Sequence, residues 1–371
     1  MGETADIVVI GAGIAGASVA MRLADEFSVI ILEAEDAPGY HSTGRSAAMW
    51  VPEYGPPEIR ALTKASGAFF QNRPDGFSQA DILSPRGELI VALDGQEELL
   101  AEQAEIAPHL HELNPLEVAA LVPLVRAVHV IGGLHDDTAQ EIDVDALLQG
   151  FLRTFRHADG KLVCSARVGT LAYDGAWKIG TPAGEFSAPV IVNAAGAWGD
   201  VVAQLAGVEP VGLVPKRRSA ALVPLPDEVN ASAWPLTIDA AETVYFKPSS
   251  GQLIVSPADE TPVEPHDAWA EDITIAEAID QFQKLVDVEV TRVNHTWAGL
   301  RTFPPDGNPV VGYDREAEGF FWLVGQGGYG IQTSPALSQT AAALLKNQPV
   351  PAEIESFGVC HSALNPNRFE E

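Results

Sequence analysis

A short apolar, β-branched run from Asp6 to Ile10 leads directly into Gly11-Ala12-Gly13-Ile14-Ala15-Gly16, and no other stretch limits the fold so strongly. The run reads as a buried parallel strand, Ala17 to Ala24 as a helix with small residues towards a sheet, and Val29 to Leu32 as a second buried strand. Three glycines at this spacing also arise by chance in glycine-rich loops, so the flanking strand and helix carry the meaning. Gly11 permits the tight turn, Gly13 lets the backbone approach a pyrophosphate, and Gly16 lets the helix lie against the strand. The first helical turn, with Ile14 and Ala15, offers unpaired N–H donors and a positive dipole end. Glu33 falls twenty residues past Gly13, where a carboxylate accepts hydrogen bonds from ribose hydroxyls, and Ala34 follows it. The unit predicts a Rossmann-like dinucleotide site.

This fingerprint serves NAD and FAD alike. Pro38-Gly39-Tyr40-His41-Ser42-Thr43-Gly44-Arg45-Ser46-Ala47-Ala48 is a long polar segment of small residues directly after the second strand, where NAD domains usually pass straight into a helix. It suits a chain running along an extended cofactor; an ordinary solvated loop is the plainer reading. A third strand signal, Ala188 to Val192, precedes Asn193-Ala194-Ala195-Gly196-Ala197-Trp198, so the nucleotide-binding sheet resumes after a long insertion. From Arg217 to Val255 the pattern changes to short alternating strands broken by Pro and Gly, which predicts an antiparallel sheet. The fold class expected is α/β plus α+β: a discontinuous cofactor domain (1–85, 143–215 and 296–371) holding an inserted antiparallel-sheet substrate domain (86–142 and 216–295). A helix is expected from about Ser334, a strand from Leu162 to Val168, and a surface extension after Val350.

With 371 residues the chain can bury two joined cores. Its 22 basic against 51 acidic residues, net −29, would repel phosphate backbones and anionic membranes, which argues against a nucleic-acid partner. Cys164 and Cys360 stand far apart with no disulfide or metal spacing, so a reducing cytoplasm is expected and neither is expected to be catalytic. The segment Met1 to Asp6 shows no leader pattern, and no apolar run approaches the ~18 residues of a membrane span. No Ser-His-Asp, Cys-His or metal-ligand constellation stands out.

Together the stretches Pro38 to Ala48, Leu83-Ser84-Pro85-Arg86, Asn193 to Trp198, Pro215-Lys216-Arg217-Arg218-Ser219, Thr296-Trp297-Ala298-Gly299-Leu300-Arg301 and Gly325-Gln326-Gly327-Gly328-Tyr329-Gly330-Ile331-Gln332-Thr333 resemble the FAD-dependent superfamily of D-amino acid oxidase, glycine oxidase and sarcosine oxidase. Within it the chain is similar to the bacterial D-arginine dehydrogenases over nearly its whole length. The resemblance implies noncovalent FAD, because no cysteine stands where the sarcosine oxidase branch attaches its flavin. It implies cofactor contacts from the glycine loop, Glu33, Ala34, His41 to Thr43, Arg45 to Ala48, Val168, Ala195, Gly196, Trp198, Gly299, Arg301 and Gly327 to Thr333. Backbone donors of the Gly327 to Gly330 loop, ahead of a helix, would meet the flavin edge where reduction places negative charge.

For substrate, the resemblance implies that Arg301 clamps an amino acid carboxylate, with Tyr245 donating to the same group and Arg218 as a second basic residue. A planar guanidinium fork suits that task, since hydride transfer tolerates little misplacement. The resemblance also implies a substrate contact from Gly328. Glu88 matches a glutamate that meets a guanidinium side chain, Tyr54 a mobile lid tyrosine, and Glu242 adds negative potential. One departure concerns substrate: Met49 stands where the relatives have an active-site histidine, and Val51 replaces a threonine, so the pocket is expected to be more apolar. His41 is expected to sit in the cofactor loop and His295 to be structural. The activity implied is oxidation of D-amino acids with basic or hydrophobic side chains to 2-oxo acids and ammonia, with oxygen or a membrane quinone as acceptor. Oxidation of another amine, an N-substituted amino acid or a 2-hydroxy acid, and a non-catalytic FAD-binding subunit, are the alternatives.

Overall fold

The computed structural model describes residues 2–369. The expected βαβ unit is β1 (Ile7–Ile10), α1 (Ile14–Leu23) and β2 (Val29–Leu32), and all eight strand residues are buried. Neighbouring strands complete a six-stranded sheet in the order Lys161–Val163, β2, β1, Val190–Asn193, Phe320–Val324 and Val310–Tyr313. Every pairing is parallel except the last. Strands hidden on both faces require near-continuous apolar runs, which is what Ile7 to Ile10 and Phe320 to Val324 supply. A small sheet, Thr170–Tyr173, Trp177–Thr181 and Gly184–Ala188 with Glu3–Thr4 at its edge, covers one side.

The strands that build the rest of the site follow in order: β3 (Met49–Trp50), β4 (Glu88–Leu93), β5 (Val130–Asp136), β6 (Gln140–Ile142), β7 (Val214–Pro224), β8 (Leu236–Asp239), β9 (Tyr245–Ser249) and β10 (His295–Phe303). A long helix, α2 (Gly330–Leu345), completes them. A nine-stranded sheet contains β4, β5 and β7 to β10, antiparallel throughout except for the parallel pairing of β4 with β8. Strand β10 pairs with β7 from Val214 opposite Phe303 to Leu222 opposite His295, so the strand bearing Arg301 belongs to this second sheet. The helix Asp272–Leu285 packs Phe282 against Phe246 beneath it, ring centroids 5.3 Å apart. Strands β3 and Leu83–Pro85 flank β6 in a three-stranded sheet between the two large ones.

Four expectations change. Helix α2 begins at Gly330, not near Ser334, and carries Pro335 inside it. A proline cannot donate to the carbonyl four residues back; here the Ser334 hydroxyl donates to that carbonyl, of Ile331, at 2.9 Å. The strand expected over Leu162 to Val168 stops at Val163, because Ser165 turns into the left-handed region at φ +52°. The strand expected from Ala188 starts at Val190, Pro189 having no N–H for a ladder. The segment after Val350 is no surface extension: Ile354 and Leu364, on the short helices Ala352–Glu355 and His361–Leu364, and Val359 between them are buried in the core. No helix among the described residues is long and apolar enough to cross a membrane. Because Leu364 is fully buried, Leu364→Ala is expected to lower stability by about 2–5 kcal/mol, read from the urea midpoint; an effect under about 0.5 kcal/mol would restore the surface-tail reading.

Candidate active site

The glycine loop has the geometry its sequence implies. Gly11 sits at φ +104°, and a Cβ there would lie 2.6 Å from the Ala194 carbonyl oxygen. A Cβ on Gly16 would lie 2.0 Å from the Gly11 carbonyl oxygen, so Gly16 serves the approach of helix to turn and does not face the ligand. Gly13 provides α1 with no side-chain cap. The hydroxyl of Thr43 takes that role, accepting from the Ile14 N–H at 3.0 Å. Glu33, 8% exposed, accepts from the Ala12 N–H at 2.7 Å and the Glu35 N–H at 3.0 Å, which fixes its carboxylate beside the loop.

The segment holding Thr43 also reaches the second sheet. Ser42 donates to the Leu300 carbonyl at 2.7 Å. The Arg45 guanidinium donates to the carbonyls of Ala268 at 2.8 Å and Ala298 at 2.9 Å and pairs with Asp267 at 2.5 Å. Trp297 Nε1 donates back to the Arg45 carbonyl at 3.1 Å. Arg45 is therefore a strut between sheets, a role the sequence reading did not give it. Asp267 was missed altogether; an aspartate in a long loop carries no local signal of a partner 222 positions away. His41 bonds Glu35 at 3.0 Å and rests its ring on Trp198, centroids 4.5 Å apart.

A cleft of about 350 Å³ runs from Gly11 and Gly13 past Glu33 and Trp198 to Gly299, Arg301 and the Gly327 to Gly330 loop. Its lining includes Ala34, Ser46, Ala47, Val168, Ala195, Gly196 and Ile331, with Arg218, Tyr245 and Gly328 at the far end. An elongated groove with helix donors and a carboxylate at one end, and a glycine backbone at another helix start, fits a flavin dinucleotide. Ala48, Tyr329, Gln332 and Thr333 do not line it. The Gln332 amide oxygen accepts from the Val51 N–H at 3.1 Å, and the Thr333 hydroxyl bonds the Tyr329 carbonyl in its own helix. Neither cysteine lines the cleft.

At the far end β7 and β10 set Arg218 opposite Gly299 and Lys216 opposite Arg301, which brings two guanidiniums into one wall. Arg218 pairs with Glu260 at 2.9 Å, while its Nε is buried without a partner. Burial, then the like charge of Arg301, lowers the Arg218 pKa from its usual value. A Cβ on Gly328 would stand 2.8 Å from the Arg301 Cζ, so only glycine leaves that guanidinium its place. The Tyr54 ring lies 5.3 Å from that of Tyr329.

Beyond Tyr54 a side cavity of about 70 Å³ gathers Val51, Glu88 and Glu242. Burial, then the negative charges of Asp136 and Glu242, push the Glu88 carboxyl up to about 7. Met49 lines neither space; it pairs with Glu141 in the small sheet, so the apolar change expected of it reaches the cavity only through Val51. His295 is exposed and stacked on Trp297. Among the described residues no cluster of metal-ligating side chains occurs. Gly11→Ala forces a strained φ and a clash, and is expected to weaken FAD binding at least about 100-fold, corresponding to roughly 3 kcal/mol, measured as flavin retained on gel filtration; unchanged retention would contradict the loop assignment.

The geometry has counterparts. The profile of the family described as FAD dependent oxidoreductase (DAO) matches residues 6–344. The chain is 25% identical over 406 residues to "FAD-dependent oxidoreductase domain-containing protein 1" of Xenopus laevis, covering 92% of this chain and 79% of that one. It is likewise 25% identical over 384 residues to glycine oxidase of Bacillus licheniformis, covering 95% and 96%. Its structure resembles that of glycine oxidase from Geobacillus kaustophilus with a TM-score of 0.83 at 20% identity, over 97% of this chain and 99% of the other. The glycine loop, the strut-bound cofactor segment and the profile match converge: the chain belongs to the DAO family of FAD-dependent oxidoreductases.

Proposed function

We propose that the protein oxidises a D-amino acid with a basic or hydrophobic side chain at the Cα–N bond, giving an imino acid that water converts to a 2-oxo acid and ammonia. The observation that carries this reading is the pairing of Arg301 with Arg218 at the end of the cofactor cleft, next to the buried phenol of Tyr245. Glu260 meets the charge of Arg218 at 2.9 Å, which leaves the second guanidinium of this low-dielectric wall to call for an anion. Arg301 forms no ion pair among the described residues, and its neighbours are the phenols of Tyr245, Tyr54 and Tyr329.

A carboxylate held by both guanidiniums and the Tyr245 hydroxyl is fixed in two directions, which leaves Cα one orientation towards the cleft. Bound FAD supplies the acceptor for the hydride that leaves Cα. The substrate amine enters unprotonated, so its lone pair forms the C=N bond as the hydride departs, and no strong protein base is required. Closure by Tyr54 over Tyr329 would exclude water from the imino acid until release. Val51, Ile90 and Ile238 give the side cavity apolar walls, and Glu88 gives it an acidic end. Because the clamp reads only the carboxylate, oxidation of an N-substituted amino acid or a 2-hydroxy acid is the second reading.

Anaerobic mixing with a panel of D-amino acids is expected to bleach the flavin with at least one basic or hydrophobic member; bleaching by none would exclude the first reading. Arg301→Leu should lower kcat/KM by about 30- to 5,000-fold while FAD stays bound, since a buried charged partner contributes roughly 2–5 kcal/mol. Glu88→Leu should abolish activity on D-arginine and D-lysine and spare D-leucine and D-methionine. Equal losses on all four would remove Glu88 from specificity.

A further inference from the structure

The side cavity contains a carboxylate that belongs to no recognised stretch of the sequence. Asp136 ends β5 and stands in register opposite Glu88 across the antiparallel β4–β5 pair, which sets the two Cβ atoms about 5 Å apart on one sheet face. Its side chain is 3% exposed. Oδ1 accepts from both the N–H and the hydroxyl of Thr138, at 2.8 and 2.6 Å. Oδ2 has no hydrogen bond among the described residues, and the imidazole Nε2 of His109 lies 4.0 Å from it. The Glu88 carboxylate forms neither a hydrogen bond nor an ion pair among the described residues.

The other charged groups around the cavity are committed elsewhere. Asp239 accepts from the N–H groups of Thr243 and Val244. Glu53 pairs with Lys64 at 2.7 Å. Lys247, the ammonium on the same sheet face, pairs with Glu141 at 2.5 Å. Glu242 stays on the exposed rim, Tyr54 brings a neutral phenol, and Arg218 and Arg301 lie beyond it in the carboxylate clamp. A buried carboxylate beside a half-buried one, without a counter-charge in contact, is costly unless a cation joins them or one keeps its proton.

We propose that Asp136 is a specificity-determining residue: with Glu88 it forms a two-carboxylate subsite that takes the ammonium or guanidinium end of a basic side chain. This rests on the amino acid reading above. The upward displacement of the Glu88 carboxyl to about 7, caused by burial and then by Asp136 and Glu242, gives the subsite a pH dependence. Below that pH the protonated Glu88 suits a neutral side chain, and a cation must displace its proton. Above it the pair is fully charged and selects the cation.

D-lysine and D-norleucine share the α-centre and chain length and differ by the terminal ammonium, so the ratio of their kcat/KM values cancels clamp, amine and chemistry. In the wild-type holoenzyme the ratio should climb with pH, by about tenfold per unit below 7, and level off above it. Asp136→Asn keeps the acceptor for Thr138 and removes the charge; the ratio should fall about tenfold or more and its inflection should move to lower pH. A ratio independent of pH, equal losses on both substrates in Asp136→Asn, or oxidation of D-norleucine alone would overturn the subsite while leaving the amino acid reading in place. Failure of both substrates to reduce the wild-type flavin would instead bring down that reading, and the subsite with it.

Discussion

The site depends on one short segment that bonds in two directions. Thr43 caps the start of α1, and one residue earlier Ser42 holds the carbonyl of Leu300, the neighbour of Arg301. Arg45 then ties the same segment to Ala298 and Ala268. Each bond is modest alone, about 0.5–1.5 kcal/mol, more where charge is involved. Together they fix the spacing between the donors at the glycine loop and the guanidinium at the far end. A cofactor lying along the groove would thereby be presented to the proposed carboxylate clamp, which is borne on a different sheet.

Electrostatics divides the proposed substrate region into two halves. One wall carries Arg218 and Arg301, the other Glu88, Asp136 and Glu242, with Tyr54 between them. On the basic side Glu260 meets Arg218 and Arg301 has no ion-pair partner among the described residues; in a low dielectric the charges left without a partner on either side are relieved by a ligand of opposite charge. An α-carboxylate at one end and a cationic side chain at the other would relieve both, and the proposed preference follows from that arrangement.

The parts legible in the sequence were those governed by local rules. The turn at Gly11, the buried strands Ile7–Ile10 and Val29–Leu32, and the role of Gly16 are dictated by sterics and hydrophobic runs over a few residues. Contacts made over long sequence distances were not legible: Asp267 with Arg45, Asp136 with Glu88, and Thr43 as the cap of a helix 29 positions earlier. The C-terminal segment misled because its apolar residues are sparse; Ile354, Val359 and Leu364 fill the core singly, without the period of a long helix or strand. The start of α2 was displaced because Pro335 reads as a boundary, whereas the Ser334 hydroxyl satisfies the carbonyl that the proline leaves open.

The central claim is that a carboxylate, held by Arg301 and Arg218, positions the carbon to be oxidised. Anaerobic flavin reduction by D-leucine and by isoamylamine, the same molecule without its carboxylate, tests it most directly. The account predicts that D-leucine reduces the flavin with a second-order rate constant at least about 10³-fold larger, the consequence of losing roughly 4 kcal/mol of charge-assisted binding. Comparable rates for the two compounds would contradict it.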